Sequence, residues 1–553
     1  MNKPTPDGLA RGPATRLQPF VTAGDPNISR AFRIAVGDIA SNVTPLEGAA
    51  SLTAAPLSKK RWETLSAKVV EIYGTRDVIP DHPSFLIAGL DYGMYQFDTM
   101  MHAWDGASFL ATDAVKGALF ATLVMSENGH VRSGDFITGF GWTVGAWSYY
   151  LHMGDRAFLK VALAATLAAF EHYERVEFDP QLNLFRGPAI LCDGISSYPD
   201  FWVKGLTGTG HIIKWPDFHP SKKAVVGLGL PMHALSTQCI NCQAYLIAAR
   251  MQRELGLPVD PSLEEKAARL KAAINEHFWR EDAGLYRYLV DPFGGSDQQE
   301  GFGNAFAILF GIASPEQTKR VLAAMHVTPH GIPINWPVYP RYASPDGMTY
   351  GNHNATLWPP VSGVWAQAAA QNGRLDLFAL ELKPLADRAC RDNQFAEVYH
   401  PVTGQIYGGI QEGMTGRKGA GMRAFIAARL GGDGEPAPEN LSKLFPPVAG
   451  KEGINVWQAC GRNTFSATAY LRMVLHGLCG IRLDTDGLSF SPSVPKGMSP
   501  VAVYDLPYRQ AVLEIQIRGE GQTIRKITVN GREHRTIPVS ATGRQVIVIE
   551  MGS

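Results

Sequence analysis

Two acidic segments have the residue types and spacing for carboxylate chemistry. The stretch FAEVYHPVTG, Phe395 to Gly404, sets Glu397 just ahead of an aromatic, a proline turn and a glycine. The stretch LCDGISSYPDFW, Leu191 to Trp202, carries Asp193 and, one loop-width on, Asp200. Cleaving a glycosidic bond requires a protonated carboxyl to donate to the leaving oxygen and an ionised carboxylate to activate water. Two such groups facing each other would make a sugar site.

Carboxylates in loops need a scaffold to oppose them. From about Trp62 to Gly480 the chain repeats an amphipathic helix, a loop rich in Gly, Pro and aromatics, then another helix. Apolar residues recur near i, i+3, i+4 and i+7. The spacing predicts helices over Met101–Met125, Trp142–His152, Ala157–Arg175, Leu235–Leu255, Leu263–Phe278, Ala305–Ile312, Pro315–Met325, Val361–Gln371, Leu375–Arg391 and Ser466–Leu478. One or two more are expected within Trp62–Tyr73 or Arg423–Leu430. Alternating helices in that number, about twelve, with loops too long for a simple bundle, point to a mainly α chain forming an (α/α)6 barrel. No fixed-period repeat appears, which counts against a solenoid. Residues 1–60 read as an extended arm with a short strand near Ala31–Val36, and 61–480 as the barrel and catalytic domain. After Gly480 the apolar period becomes two, with a turn at Val529–Arg532, so 481–553 reads as a small C-terminal β-sandwich or β-sheet domain packed on the barrel.

Composition narrows the function. Of 553 residues, 51 are Lys or Arg and 51 Asp or Glu, so the formal charge is zero. With no basic block to track phosphates, nucleic acid is excluded as a partner. Aromatics make up 10% of the chain, including 11 Trp, and many sit in loop segments where they could stack on sugar rings or simply fill a large core. The six cysteines are scattered, and Cys239 and Cys242 form a CxxC inside a helical pattern with no second pair, so no metal is assigned. Gly129, Gly134, Gly139 and Gly141 do not follow a strand into a helix, so neither a dinucleotide nor any other cofactor is expected. No apolar run of signal-peptide length opens the chain and none approaches the ~20 residues of a membrane span. A soluble protein without a membrane partner is expected, cytoplasmic by default and periplasmic or secreted if a signal peptide has been trimmed. Oligomeric state is open.

Four segments resemble the six-hairpin glycosidases with an (α/α)6 barrel, and above all the family of processing α-glucosidase I and mannosylglycerate hydrolase, and the trehalases. They are GLDYGMYQFDTMMHAWDGASFL from Gly89, LKAAINEHFWREDAGLYRYLV from Leu270, YGNHNATLWPPVSGVWAQAA from Tyr350, and FAEVYHPVTG itself. The resemblance implies that Asp98 holds sugar hydroxyls, that Asp193 is the general acid and that Glu397 is the base. Asp200 is a rival acid. Glu412 is a rival base, because IYGGIQEG is similar to a glycine-rich, acid-bearing segment of trehalases. An insertion of roughly Met414 to Asn455 separates it from WQACGRNTFSATAYLRM. The C-terminal strands resemble the β-domains that follow the barrel in rhamnosidases and disaccharide phosphorylases. Tyr92, Gln96, Asp98, Trp142, Trp336, His353, Trp358 and Gln458 are the expected substrate contacts, with Trp336 and Trp358 as stacking platforms held by neighbouring prolines. His353, between two asparagines, could instead tie a loop.

The expectation is an exo-acting, inverting glycoside hydrolase releasing a terminal sugar from a di- or oligosaccharide, with α-glycosidase among the options. Two other readings stay open: a polysaccharide lyase using Tyr350, Asn352 and His353, and a non-catalytic carbohydrate-binding protein.

Overall fold

The computed structural model describes residues 18–46, 59–80, 83–89, 93–125, 129–134, 139–192, 195–199, 232–291, 294–340, 344–412, 454–456 and 458–552. Their helices, in chain order, are α1 (Pro26–Ser41), α2 (Lys59–Tyr73), α3 (Gln96–Trp104), α4 (Thr112–Ala121), α5 (Gly141–Met153), α6 (Arg156–Glu177), α7 (Leu235–Leu255), α8 (Pro261–His277), α9 (Gly301–Leu309), α10 (Pro315–Ala324), α11 (Pro359–Gln371), α12 (Leu375–Asp392) and α13 (Thr464–Arg472). A π-helical turn, Met473–Leu478, prolongs α13.

Burial separates these helices into two rings. In α5 every residue from Gly141 to His152 is buried, and in α11 all but Gln367 and the terminal Gln371. A helix that is buried all round belongs inside, whereas α8, with only Leu263, Ala267, Leu270, Ala273 and Ile274 buried, shows one stripe to the core. The inner helices α3, α5, α7, α9, α11 and α13 pack each on the next, and α13 returns to α3, which closes the ring. Glycines permit the close approaches: a Cβ at Gly145 would lie 2.8 Å from the Met100 backbone, and one at Gly363 3.0 Å from Ala469. The outer helices α4, α6, α8, α12 and α1 lie against them, and α10 joins the outer layer over the Leu285–Tyr286 strand. This is the (α/α)6 barrel.

Two expectations are corrected here. The Ala31–Val36 strand is the middle of α1, a helix capped by Asp25, whose carboxylate accepts from Asn27 N at 2.9 Å, with Pro26 at its first turn. Ile28, Ala31, Phe32, Ala35 and Ile39 form its buried stripe against α12 and α13, so this part of the expected arm is barrel wall. The single helix over Met101–Met125 is α3, a short turn at Ala107–Phe109, α4 and a strand, broken at Asp105–Gly106, where Gly106 takes φ +102°.

From Ile481 the chain turns to strands. A six-stranded sheet runs in the order Phe20–Thr22, Val501–Tyr508, Gln510–Arg518, Thr542–Met551, Ile524–Val529, Arg532–Glu533, and a second has Ile481–Leu483, Gly487–Phe490 and Thr536–Pro538. Leu513, Ile515 and Ile517 alternate inward from Gln510–Arg518, the period-two signal of a half-buried strand. Asn530 and Gly531, both at positive φ, make the expected tight turn between Val529 and Arg532.

Candidate active site

Loop length shows which end of the barrel carries the site. Inner helices lead to outer ones through short connections, such as Gly154–Asp155 and 256–260. The returns to the N-termini of the inner helices are long, and every expected site residue lies on them or on the first turns they enter.

Glu397 is a buried and firmly held carboxylate of this end. It is 8% exposed; its N–H donates to Cys460 O at 3.0 Å, and its Oε2 accepts from Cys460 N at 2.9 Å. Two residues either side are fixed as well. Phe395 N donates to the Asp38 carboxylate of α1 at 2.8 Å, and Tyr399 exchanges both backbone bonds with Leu357, at 2.9 and 3.0 Å. Asn42, after α1, donates to Arg462 O at 2.7 Å and Thr464 Oγ1 at 2.8 Å, which anchors the Cys460 segment as it enters α13. Glu397 is therefore clamped between the first and last helices of the barrel.

The Leu357–Tyr399 pairing sets the Asn352–Trp358 loop beside Glu397. Asparagine amides shape that loop: Asn335 donates to His353 O and accepts from Ala355 N, while Asn354 bonds both backbone groups of Tyr339. His353 N donates to Ser196 Oγ at 3.0 Å, which joins the loop to the segment that carries Asp193. Upstream, Cys192 O accepts from Tyr198 Oη at 2.6 Å. Asp193, Asp200 and Tyr92 lie outside the described residues. The backbone of Glu412 belongs to a strand, Ile410–Glu412, paired with Ile454–Val456, so the insertion leaves and returns through adjacent strands; the Glu412 side chain lies outside the described set. Isoleucine 410 in turn bonds Tyr350 and Asn352, so this strand joins the same cluster.

The expected aromatic contacts divide. Trp142 is fully buried, and its indole N–H points at Leu119 O and Thr122 Oγ1, so it is a core residue of α5 and offers no ring to a sugar. Trp358 is 5% exposed; His353 stacks on it at 4.6 Å and 10°, and its N–H is taken by Asn352 O. It braces the loop instead of forming a platform. His353 does the same, since burial pulls its imidazole down to about 3 and keeps it neutral. Trp336 stays half-buried with one face on His326. Gln458 is exposed two residues before Cys460, and Gln96 and Asp98, both partly buried, occupy the first turn of α3, whose Phe97 packs on Phe465 of α13.

Residues 103–423, more than half of the chain, match the family model described as the mannosylglycerate hydrolase MGH1-like glycoside hydrolase domain. The chain belongs to that family. Residues 481–548 match the C-terminal domain of glycosyl hydrolase family 65, in keeping with the strands found there. No curated protein sequence matches the chain. Among solved structures, a sialidase is similar over 93% of this chain and 40% of its own length, with TM-score 0.58 and 12% identity, which shows a shared fold. A family 78 rhamnosidase of Bacillus sp. GL1 is similar over 97% of this chain and 44% of its own (TM-score 0.47, 13% identity). A family 63 mannosylglycerate hydrolase from Thermus thermophilus, in complex with Tris and D-glycerate, is similar over 62% and 96% (TM-score 0.45, 14% identity). The chain spans less than half the length of the first two structures.

In this MGH1-like family member several residues of the site end were not singled out from the sequence. Asp38 and Asn42 act from a segment read as an arm. Glu300, at the start of α9, is 1% exposed, and its Oε2 accepts from Ser236 N in the first turn of α7 at 3.0 Å, tying two inner helices together. Burial lifts this carboxyl to about 8, so it keeps its proton at neutral pH. Only the GlnGlu pair ahead of an apolar helix could have signalled it. Cys239 and Cys242 are buried on α7, with the Cys242 thiol pushed up to about 11 by burial, as a helix face in the core requires. Among the described residues there is no cluster fit for a metal, and no helix is long and apolar enough to cross a membrane.

Proposed function

We propose that the chain is an exo-acting, inverting glycoside hydrolase that removes a terminal sugar from a short glycoside, with Glu397 as general base and Asp193 as general acid. The observation that carries this reading is the clamp on Glu397. A buried carboxylate fixed to the backbone through one oxygen, at the long-loop end of an (α/α)6 barrel, has the rigid support that a general base needs. Inversion requires room for that water, with the two carboxyls about 6.5–9.5 Å apart. The family match spans both residues and supports the same reaction class. Because the family description names mannosylglycerate, that glycoside is the first substrate to test, ahead of neutral α-linked disaccharides.

The lyase reading has less support. His353, a proton acceptor in that reading, is buried against Trp358 with its basicity pulled down to about 3, and Asn352, the neutralising group, has its amide committed to Gly408 O. The test is hydrolysis of mannosylglycerate and a disaccharide panel, with the first-formed anomer read by proton NMR. Asp193→Asn and Glu397→Gln should each slow release by about 100-fold or more. Retention of anomeric configuration, or full activity in either variant, would refute the assignment.

A further inference from the structure

At the opposite end of the barrel, where the inner helices finish, lies a cavity of about 190 Å³. Trp104 of α3, Trp147 of α5, Arg250 of α7, Phe310 just after α9, Gln367 of α11 and Arg472 of α13 all line it, so it sits on the barrel axis. Ile481, Arg482 and Leu483, the first strand beyond the barrel, close one side. Three guanidinium groups face this space, and among the described residues no carboxylate lines it.

The ends of helices attract cations, and that accounts for part of the arrangement. Arg482 donates to His476 O at 2.7 Å and Ile481 O at 3.3 Å, capping the turn that ends the inner ring. It does not account for Arg472. This side chain is 1% exposed, stacked over Trp104 at 3.8 Å, paired with Asp105 and bonded to Gln367; its Nη2 is buried with no hydrogen-bond partner. A buried charged donor left unmatched is costly, and a ligand oxygen would match it. Arg472 also stands where α13 widens into the π-helical turn, a distortion frequent at functional sites. At the rim, Arg250 is 37% exposed and meets Asp484, which leaves a way in from solvent.

We propose that this cavity binds a small oxyanion, a phosphate or carboxylate group, held by Arg472, Arg482 and Arg250. Its volume exceeds the ~150 Å³ that accepts benzene, so free orthophosphate or a few-carbon acid fits and an oligosaccharide does not. Burial and the Arg472 charge already pull Arg482 down to about 10, a strain that an anion between them relieves. Bound there, the anion bridges α7, the end of α13 and the first strand of the C-terminal domain.

The test titrates the full chain with orthophosphate and, separately, acetate at constant ionic strength in chloride, by calorimetry and thermal melting. Saturable binding of either ion is expected, with affinity weakened about tenfold or more in Arg482→Gln or in Arg250→Gln. Both sites are partly exposed, so these variants should fold. Glu397→Gln should bind as the unsubstituted chain does, which separates this site from the other end of the barrel. Absence of saturable binding by both ions, or unchanged affinity in both arginine variants, would overturn the proposal.

Discussion

Replacing Glu300 with Gln should change how stability depends on pH, by an amount the structure specifies. Unfolded, the carboxyl ionises near its ordinary 4.5; folded, burial holds it protonated to about 8. Between those values the unfolded chain is ionised there and the folded chain is not, so rising pH favours unfolding by about 1.4 kcal/mol per unit. Below 4.5 both states carry the proton, and above 8 both have lost it, so the effect is confined to that window. From pH 5 to 8 it accumulates to about 4 kcal/mol. Gln keeps an oxygen for Ser236 N–H and does not titrate. With an unfolding entropy of about 2.1 cal/mol/K per residue, 4 kcal/mol over a chain of this length is ~3–4 °C in Tm if it unfolds as one unit. Calorimetric melts of both proteins across pH 5 to 8 should show Glu300→Gln gaining that much on the unsubstituted chain as pH rises. A Tm gap that stays constant across the window would refute the buried, protonated assignment.

Glu397→Gln should lower kcat/KM by about 10²- to 10⁴-fold while leaving ligand-induced thermal stabilisation in place, and Glu412→Gln should be milder. If Glu412→Gln abolishes turnover and Glu397→Gln spares it, the roles are reversed. Gly145→Ala drives a Cβ against the Met100 backbone between α3 and α5, and should destabilise by about 1–3 kcal/mol in thermal melts. Asp105→Asn strands the buried Arg472 and should lower stability by about 3–5 kcal/mol; a neutral result would show that the pair contributes little to closing the inner ring.

The outer helices were readable because each buries a regular stripe, and among the inner ones the predicted bounds of α7 coincide with those observed. Failures occurred where composition overruled periodicity. The segment around α1 is rich in Pro, Gly and Thr, and its stripe of Ile28, Ala31, Phe32, Ala35 and Ile39 went unread, although Asp25–Pro26 is a helix-start signal. For α9, a start at Gly301 was missed because glycines are poor helix formers; here Gly303 leaves room for Glu300 and Leu235.

The candidate site was legible as a set of segments and illegible as an arrangement. Proline neighbours suggested that Trp358 was a fixed platform, but the face of a ring is spent by whatever packs on it, and His353 takes that face. The geometry around Glu397 rests on bonds between residues 357 and 422 positions apart, from Asp38 to Phe395 and from Asn42 to Thr464. No local pattern encodes such a pairing, because either partner alone reads as a solvated polar residue. What makes it necessary is ring closure. The sixth inner helix, α13, takes its outer cover from α1 at the chain's beginning, so the loop entering α13 must be tied down by that distant segment. Burial then follows: Asp38, 4% exposed and raised to about 6 by desolvation, is kept inside the wall by the Phe395 amide it receives. A carboxylate two residues further on inherits that rigidity, which the general-base role proposed for Glu397 requires.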